Sequence, residues 1–170
     1  LGLPIYLHED NPHQTGFLVE TWPCGIVIEI GPVPQGLLLE RIITQTRITL
    51  ETILEELVKI QARKAHFPKS LIIHRHIENI DFPRNEEGKP NSYIHKGLQT
   101  KNWVPIKFGH PLFESAEGEI FTMDEDQTLT PVFINEAAYI EKGIALGFTK
   151  REVWPFSQRW EEALNNLIFT

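Results

Sequence analysis

The sequence predicts an α/β fold, and three observations carry that prediction. Residues 25–30 read Gly-Ile-Val-Ile-Glu-Ile, a β-branched run bounded by Pro23 on one side and Gly31-Pro32 on the other. A turn over residues 31–36 with two prolines then delivers the chain into a long stretch of helical periodicity. After Pro68 the composition shifts to short β-like runs separated by Gly and Pro. Strand, turn and helix in that order make half of an α/β unit, and the later runs make a small β-rich lobe.

Taken in order, residues 3–7 form a short apolar run that reads as a strand, and residues 9–16, with Asn11, Pro12 and Gly16, read as a loop. The run at 25–30 is continuous rather than alternating, as expected of a strand inside a sheet covered on both faces. Leu39, Ile42, Ile43, Thr46, Leu50, Ile53, Leu54, Leu57 and Ile60 follow the three-and-four spacing of an amphipathic helix. Arg41, Arg47, Glu51, Glu55, Lys59 and Arg63 take the opposite face, no Pro or Gly interrupts positions 37–65, and Phe67-Pro68 ends the helix. Residues 71–80 read as a strand with partial alternation, Ile73, Arg75 and Ile77 against His74, His76 and Glu78. Turn signals fill 83–90, and β-like runs lie near 92–95, 104–107, 119–123 and 130–134. Residues 137–146 fit a short helix or a last strand. The remainder is a tail with Trp154, Trp160 and an amphipathic helix over 156–168. The organisation read from this is 1–70 for the α/β part, 71–148 for the β-rich lobe and 149–170 for the tail.

The 170 residues suffice for one ordinary domain or two small lobes. A hydrophobic content of 41% and a charged content of 23% are those of a globular protein. The longest apolar runs, 26–28 and 37–39, are far too short to span a membrane. With a net charge of −7 and no Lys/Arg cluster, neither nucleic acid nor an anionic membrane is an expected partner. One cysteine, Cys24, and no signal peptide favour a reducing, cytoplasmic location. The absence of an initiator Met and the opening at Leu1, in the approach to a strand, predict further sequence upstream.

Among residues that could carry chemistry, Glu29 is the most informative. A carboxylate within an apolar strand costs several kcal/mol to bury as the anion unless it is paired or its pKa rises. Strand ends beside turns are also where α/β enzymes place catalytic groups. The residues alone leave two readings open, a catalytic carboxylate or a structural one that caps the next turn. His74 and His76 share a face of the strand at 71–80, yet no partner at a ligand spacing completes a metal site, so they read as surface histidines. His95 reads as a satisfied core or turn histidine. Cys24, between Pro23 and Gly25, reads as a small buried residue rather than a nucleophile. Residues 135–139, Asn-Glu-Ala-Ala-Tyr, read as a helix start with Asn135 as N-cap and Glu136 complementing the dipole, which leaves Tyr139 unexplained.

Four segments carry a family resemblance. Gly25-Ile26-Val27-Ile28-Glu29-Ile30-Gly31-Pro32-Val33-Pro34-Gln35-Gly36 resembles the Glu-Val-Gly-Pro-x-Pro-Gln-Gly segment of the aspartoacylase and succinylglutamate desuccinylase family of zinc hydrolases. Ile94-His95-Lys96-Gly97-Leu98-Gln99, continuing to Asn102-Trp103-Val104-Pro105, is similar to that family's Ile-His-Pro-x-Leu-Gln-x-x-Asp-Trp-x-Pro. The run from Pro131 to Lys142 resembles Pro-Val-Phe-x-Asn-Glu-Ala-Ala-Tyr-x-Glu-Lys, and Asp81-Phe82-Pro83-Arg84 resembles an Asp-Tyr-Pro-Arg turn. The resemblance implies the C-terminal half of a carboxypeptidase-like zinc-hydrolase domain followed by a small β-rich lobe. It implies Glu29 as general base and then proton donor to the leaving amine, Tyr139 as a substrate hydrogen-bonding group, and Glu136 as structural support of the site. The implied reaction is hydrolysis of an N-acyl-L-amino acid, N-acetyl-L-aspartate first. The implied cofactor is one zinc per complete subunit, and a homo-oligomer is the expected assembly.

Two departures shape the alternatives. The zinc ligands of the family lie upstream of the first residue here and none of the seven histidines replaces them, so the chain alone is expected to bind no catalytic zinc and to be inactive. Phe17 stands where the family has a substrate-binding arginine, which opens N-acyl aromatic amino acids or N-succinylglutamate as substrates. Asn102 replaces the motif's Asp. A reading of another class is a non-catalytic binding or oligomerisation module.

Overall fold

A computed structural model of the chain describes residues 4–8, 26–31, 33–34 and 36–168. Phe17, Cys24 and the loop expected at 9–16 lie outside the described residues. Contacts divide the chain into two units, one of residues 1–2, 11–71 and 155–170, the other of residues 3–10 and 72–154.

The second unit holds the β-structure. Strand β1 (Ile5–Leu7) pairs in parallel with β2 (Ser70–Ile80), placing Ile5 opposite Ile73 and Leu7 opposite Arg75. Three further strands, β3 (Ser92–Ile94), β4 (Pro111–Ser115) and β5 (Ile120–Thr122), form an antiparallel meander with a register shift between Pro111 and Phe113. Strand β6 (Thr130–Val132) runs antiparallel to β7 (Leu146–Pro155), and the larger sheet has the order β1-β2-β7-β6. All three residues of β6 are buried, as are Leu146 to Thr149 at the start of β7. Gly147 lets neighbours approach closely there: a Cβ would lie 3.0 Å from Asn79 Oδ1 and 3.4 Å from Val132 Cγ2. Ile94, Leu98, Ile106, Leu112, Phe113, Met123, Leu129, Ala145, Leu146 and Phe148 form one buried core, with Ile80, Phe82, Phe121 and Ile134 against it. Between β6 and β7 lies a single helical turn, α2 (Ala137–Ile140).

The first unit contains α1 (Glu40–Gln61) and α3 (Gln158–Ile168). Glu40 in the first turn and Lys59 in the last suit the helix dipole of α1. Only Thr49 and Ile60 of α1 are buried, whereas Ile43, Leu50, Leu54 and Val58 are exposed. Phe67 stacks on Phe156 at 5.0 Å between ring centroids, and Phe156 meets Trp160 edge-on at 5.7 Å. No helix among the described residues is long and apolar enough to cross a membrane.

The mixed α/β class, the long helix and the β-rich lobe agree with the sequence, and four elements differ. Residues 26–31 form no strand, and Ile26 and Val27 are exposed. A continuous apolar run becomes a central strand only where other strands pair beside it, and among the described residues none does. Residues 104–107 contribute only an isolated bridge from Ile106 to Leu129. Conversely β4 lies outside the expected β-like runs and begins on Pro111, because proline is compatible with the first residue of a strand. The tail expected from residue 149 is strand as far as Pro155, and its helix starts at Gln158.

Candidate active site

The site residues expected from sequence fall in both units. Glu29 is described in the helical unit, exposed and in irregular backbone, so the burial cost that made it conspicuous is not incurred there. Glu136 and Tyr139 lie together in the β unit. Asn135 is not the N-cap of α2: Glu136 occupies that position in extended conformation, without a side-chain cap bond, while Asn135 takes a φ of 54°. The turn is closed by backbone bonds, Tyr139 N–H to Glu136 O at 3.0 Å and Lys142 N–H to Tyr139 O at 3.0 Å. Gly143, at a φ of 68°, ends it in the left-handed conformation common after helices. Asn135 N–H donates to Ala145 O at 2.8 Å, and Ala145 N–H to Ile80 O at 2.7 Å, so α2 is tethered at both ends to the core.

Around Tyr139 lies an aromatic network that the sequence did not single out. The half-buried Tyr139 ring meets Phe133 edge-on at 5.7 Å, and Lys142 Nζ lies 5.7 Å from the Tyr139 ring centre. Phe133 in turn meets Tyr6 at 5.2 Å and Trp103 at 6.3 Å, and Trp103 meets His74 at 5.3 Å. The Tyr6 hydroxyl is hydrogen-bonded to His76 Nδ1 at 3.1 Å, and the His8 and His76 rings lie 4.7 Å apart. Thus His74 and His76, read as surface histidines, are half-buried components of this network. Burial, and secondarily the charge of Arg151, lowers the pKa of His74. His95 is a turn histidine as expected, its Nδ1 accepting the Gly97 N–H at 3.0 Å.

The backbone beneath the network is strained. Thr100, Trp103, Phe133 and Asn135 adopt φ of 64°, 67°, 54° and 54°. Asn tolerates that region, but each of the others costs about 1–3 kcal/mol and persists only where its surroundings enforce it. The enforcing contacts are Trp103 N–H to Pro131 O at 2.9 Å and Ile134 N–H to Asn102 Oδ1 at 3.1 Å, which clasp the two loops together. A cavity of about 280 Å³ lies alongside, lined by Tyr93, Ile94, Gln99, Thr100, Ile134 and Asn135. A signal for Trp103 and Phe133 was present, since both stand inside motifs quoted above. Their backbone conformation had none.

Among the described residues no group of three His, Cys, Asp or Glu side chains is placed to hold a metal ion. The described residues therefore do not fit the zinc implied by the resemblance, and no chemistry is derived through it.

Comparison with known proteins agrees with this architecture. Residues 69–151 match the AstE/AspA barrel-sandwich hybrid domain. Over 168 residues, 99% of the chain, the sequence is 55% identical to the "Probable aspartoacylase" of Prochlorococcus marinus (strain NATL1A). It is 48% identical over 169 residues to that of Parasynechococcus marenigrum (strain WH8102). The chain spans about half the length of these relatives, 55% and 56% respectively. The crystal structure of murine aminoacylase 3 superposes with a TM-score of 0.66 at 32% identity, over 74% of this chain and 42% of that one. On the fold, the motifs and these likenesses together, the chain belongs to the aspartoacylase family, whose C-terminal portion it matches.

Proposed function

We propose that this chain supplies the C-terminal part of an amidohydrolase that cleaves an N-acyl-L-amino acid to a carboxylate and the free amino acid, N-acetyl-L-aspartate first. The observation that carries the reading is Tyr139, held on a tethered helical turn beside Phe133 and Lys142, in a chain 55% identical along its length to a protein named as an aspartoacylase. Glu29 takes the proton from the attacking water as the C–O bond forms. It then delivers that proton to nitrogen as the C–N bond breaks, because an amide anion is a poor leaving group. Tyr139 hydrogen-bonds the substrate, and Glu136 braces the turn. The reading keeps zinc as the cofactor of the complete subunit, held outside the described residues, with no step assigned to it. It keeps a cytoplasmic location, and self-association with a second copy, which the exposed Ile43, Leu50, Leu54 and Val58 of α1 favour.

Substituting Glu29→Gln in a protein of the relatives' length tests the reading. Turnover of N-acetyl-L-aspartate is expected to fall about 10²–10⁴-fold with the unfolding midpoint unchanged. Loss of folding instead would make Glu29 structural. If the unsubstituted protein turns over aromatic or succinyl substrates and not N-acetyl-L-aspartate, the alternative raised by Phe17 holds. The 170-residue chain by itself is expected to be inactive, and chelator-sensitive turnover by it would refute that. A non-catalytic module is the second reading, favoured by the lack of a ligand group among the described residues. A clean monomer in sedimentation would count against self-association.

A further inference from the structure

Resting on the role proposed above for Tyr139, we infer that Phe133 and Trp103 are positioning residues that set the angle from which the Tyr139 hydroxyl meets the substrate. A four-residue helical turn with no buried residue and no side-chain cap cannot fix an aromatic ring by itself. The ring is steadied from outside the turn, and Phe133 meets it edge-on at 5.7 Å. Phe133 is itself held between Tyr6 at 5.2 Å and Trp103 at 6.3 Å.

Packing alone does not account for this arrangement. Neither Phe133 nor Trp103 belongs to the buried core, and both are half-buried. Both nevertheless occupy left-handed backbone, at φ of 54° and 67°, which aromatic residues avoid. Relaxing either residue to an ordinary φ would swing its ring away from the row that ends at Tyr139. The clasp opposes that relaxation from both loops: Pro131 O accepts the Trp103 N–H, and Asn102 Oδ1 accepts the Ile134 N–H, one residue beyond Phe133. Strain held in this way around a proposed substrate group is the pattern of a preorganised site. An error of about 1 Å in such a group can cost about 10²-fold in rate.

The test has two arms. In the first, the 170-residue chain is labelled with 3-fluorotyrosine, and of its three tyrosine resonances the one absent from Tyr139→Phe is assigned to Tyr139. Phe133→Leu and Trp103→Leu are expected to shift and broaden that resonance, and Phe133→Tyr, which keeps the ring, to restore it. A Tyr139 resonance unmoved by Phe133→Leu overturns the inference whatever the activity. In the second arm, in a protein of the relatives' length, Phe133→Leu is expected to lower kcat/KM by up to about 10²-fold. The double substitution Phe133→Leu/Tyr139→Phe is then expected to be no worse than Tyr139→Phe alone. Losses that multiply mean Phe133 acts independently, which overturns the inference. Where Phe133→Leu fails to fold, Asn102 decides. Asn102→Asp keeps an acceptor and should hold the resonance in place, Asn102→Ala should release it, and equal behaviour of the two overturns the inference. Absence of turnover in the unsubstituted protein, or full activity in Tyr139→Phe, defeats the proposed function and leaves the fluorine arm to decide the positioning.

Discussion

The β unit and the helical unit solve the problem of apolar surface in opposite ways. In the β unit, strands with little periodicity of their own close over ten buried residues, with Leu98, Leu129 and Leu146 fully shielded. In the helical unit α1 carries a long amphipathic periodicity, yet only Thr49 and Ile60 are buried, and Leu54 is 62% exposed. Amphipathic spacing therefore marks a helix with an apolar stripe without saying what covers it. Burial depends on partners, and the strands of the β unit find theirs within the described residues.

The sharpest way to break this contrast is truncation of one leucine in each unit. Leu129→Ala in the β core is expected to cost about 2–5 kcal/mol, whereas Leu54→Ala on α1 should change stability by less than about 0.5 kcal/mol. Urea denaturation measures both, and equal losses would mean that α1 is covered after all. Next comes Asn102→Ala, which removes the acceptor of the Ile134 N–H and is expected to cost about 1–3 kcal/mol, with Asn102→Asp near neutral.

Acidity should act on the β unit in two windows. The folded pKa of His74 lies below its ordinary value, through burial and then Arg151. The unfolded chain therefore takes up the proton first, and the stability His74 contributes is complete above about pH 6.5 and is lost as pH falls below it. Glu152 is held below its ordinary value by hydrogen bonds from Arg75 and Trp154, so its contribution persists into more acidic solution and is lost as pH falls through its folded value. Urea midpoints compared at about pH 7.5 and about pH 5.5 should fall for the unsubstituted chain and stay level for His74→Gln. The smallest effect is expected for Arg75→Met. It removes a partly exposed pair with Glu152, 3.1 Å between Nε and Oε1, and the small loss should vanish at high salt.

Much of the fold could be read from local signals. Residues 40–61 announced their helix through spacing, although it ends at Gln61 rather than at the expected Phe67-Pro68, and residues 70–80 their strand through partial alternation. The strand β7 stayed hidden because Lys150, Arg151 and Glu152 make its second half look like a solvated tail; its first half pairs with Thr130, Pro131 and Val132, fifteen or more residues away, and its other edge neighbours β2. At the candidate site, Glu136 and Tyr139 were legible only through the resemblance, since a one-turn helix leaves almost no periodicity. The φ of Trp103 and Phe133 was not legible at all. It is set by hydrogen bonds from the Trp103 N–H to Pro131 O and from the Ile134 N–H to Asn102 Oδ1, contacts distant in sequence that no local rule anticipates.

The parallel pairing of Ile5 with Ile73 has a consequence for how the molecule assembles. Strands β4 and β5 close through a short hairpin, and their contacts form early. Strand β1 must wait, because a chain segment that contains all of α1 separates it from β2, and the entropy of closing so long a loop is recovered only once the rest of the sheet is in place. Amide hydrogens of residues 5–7 should therefore gain protection last during refolding and lose it first under mild destabilisation. Tyr6, which buttresses Phe133, would then be the contact through which a late folding step reaches the row of rings.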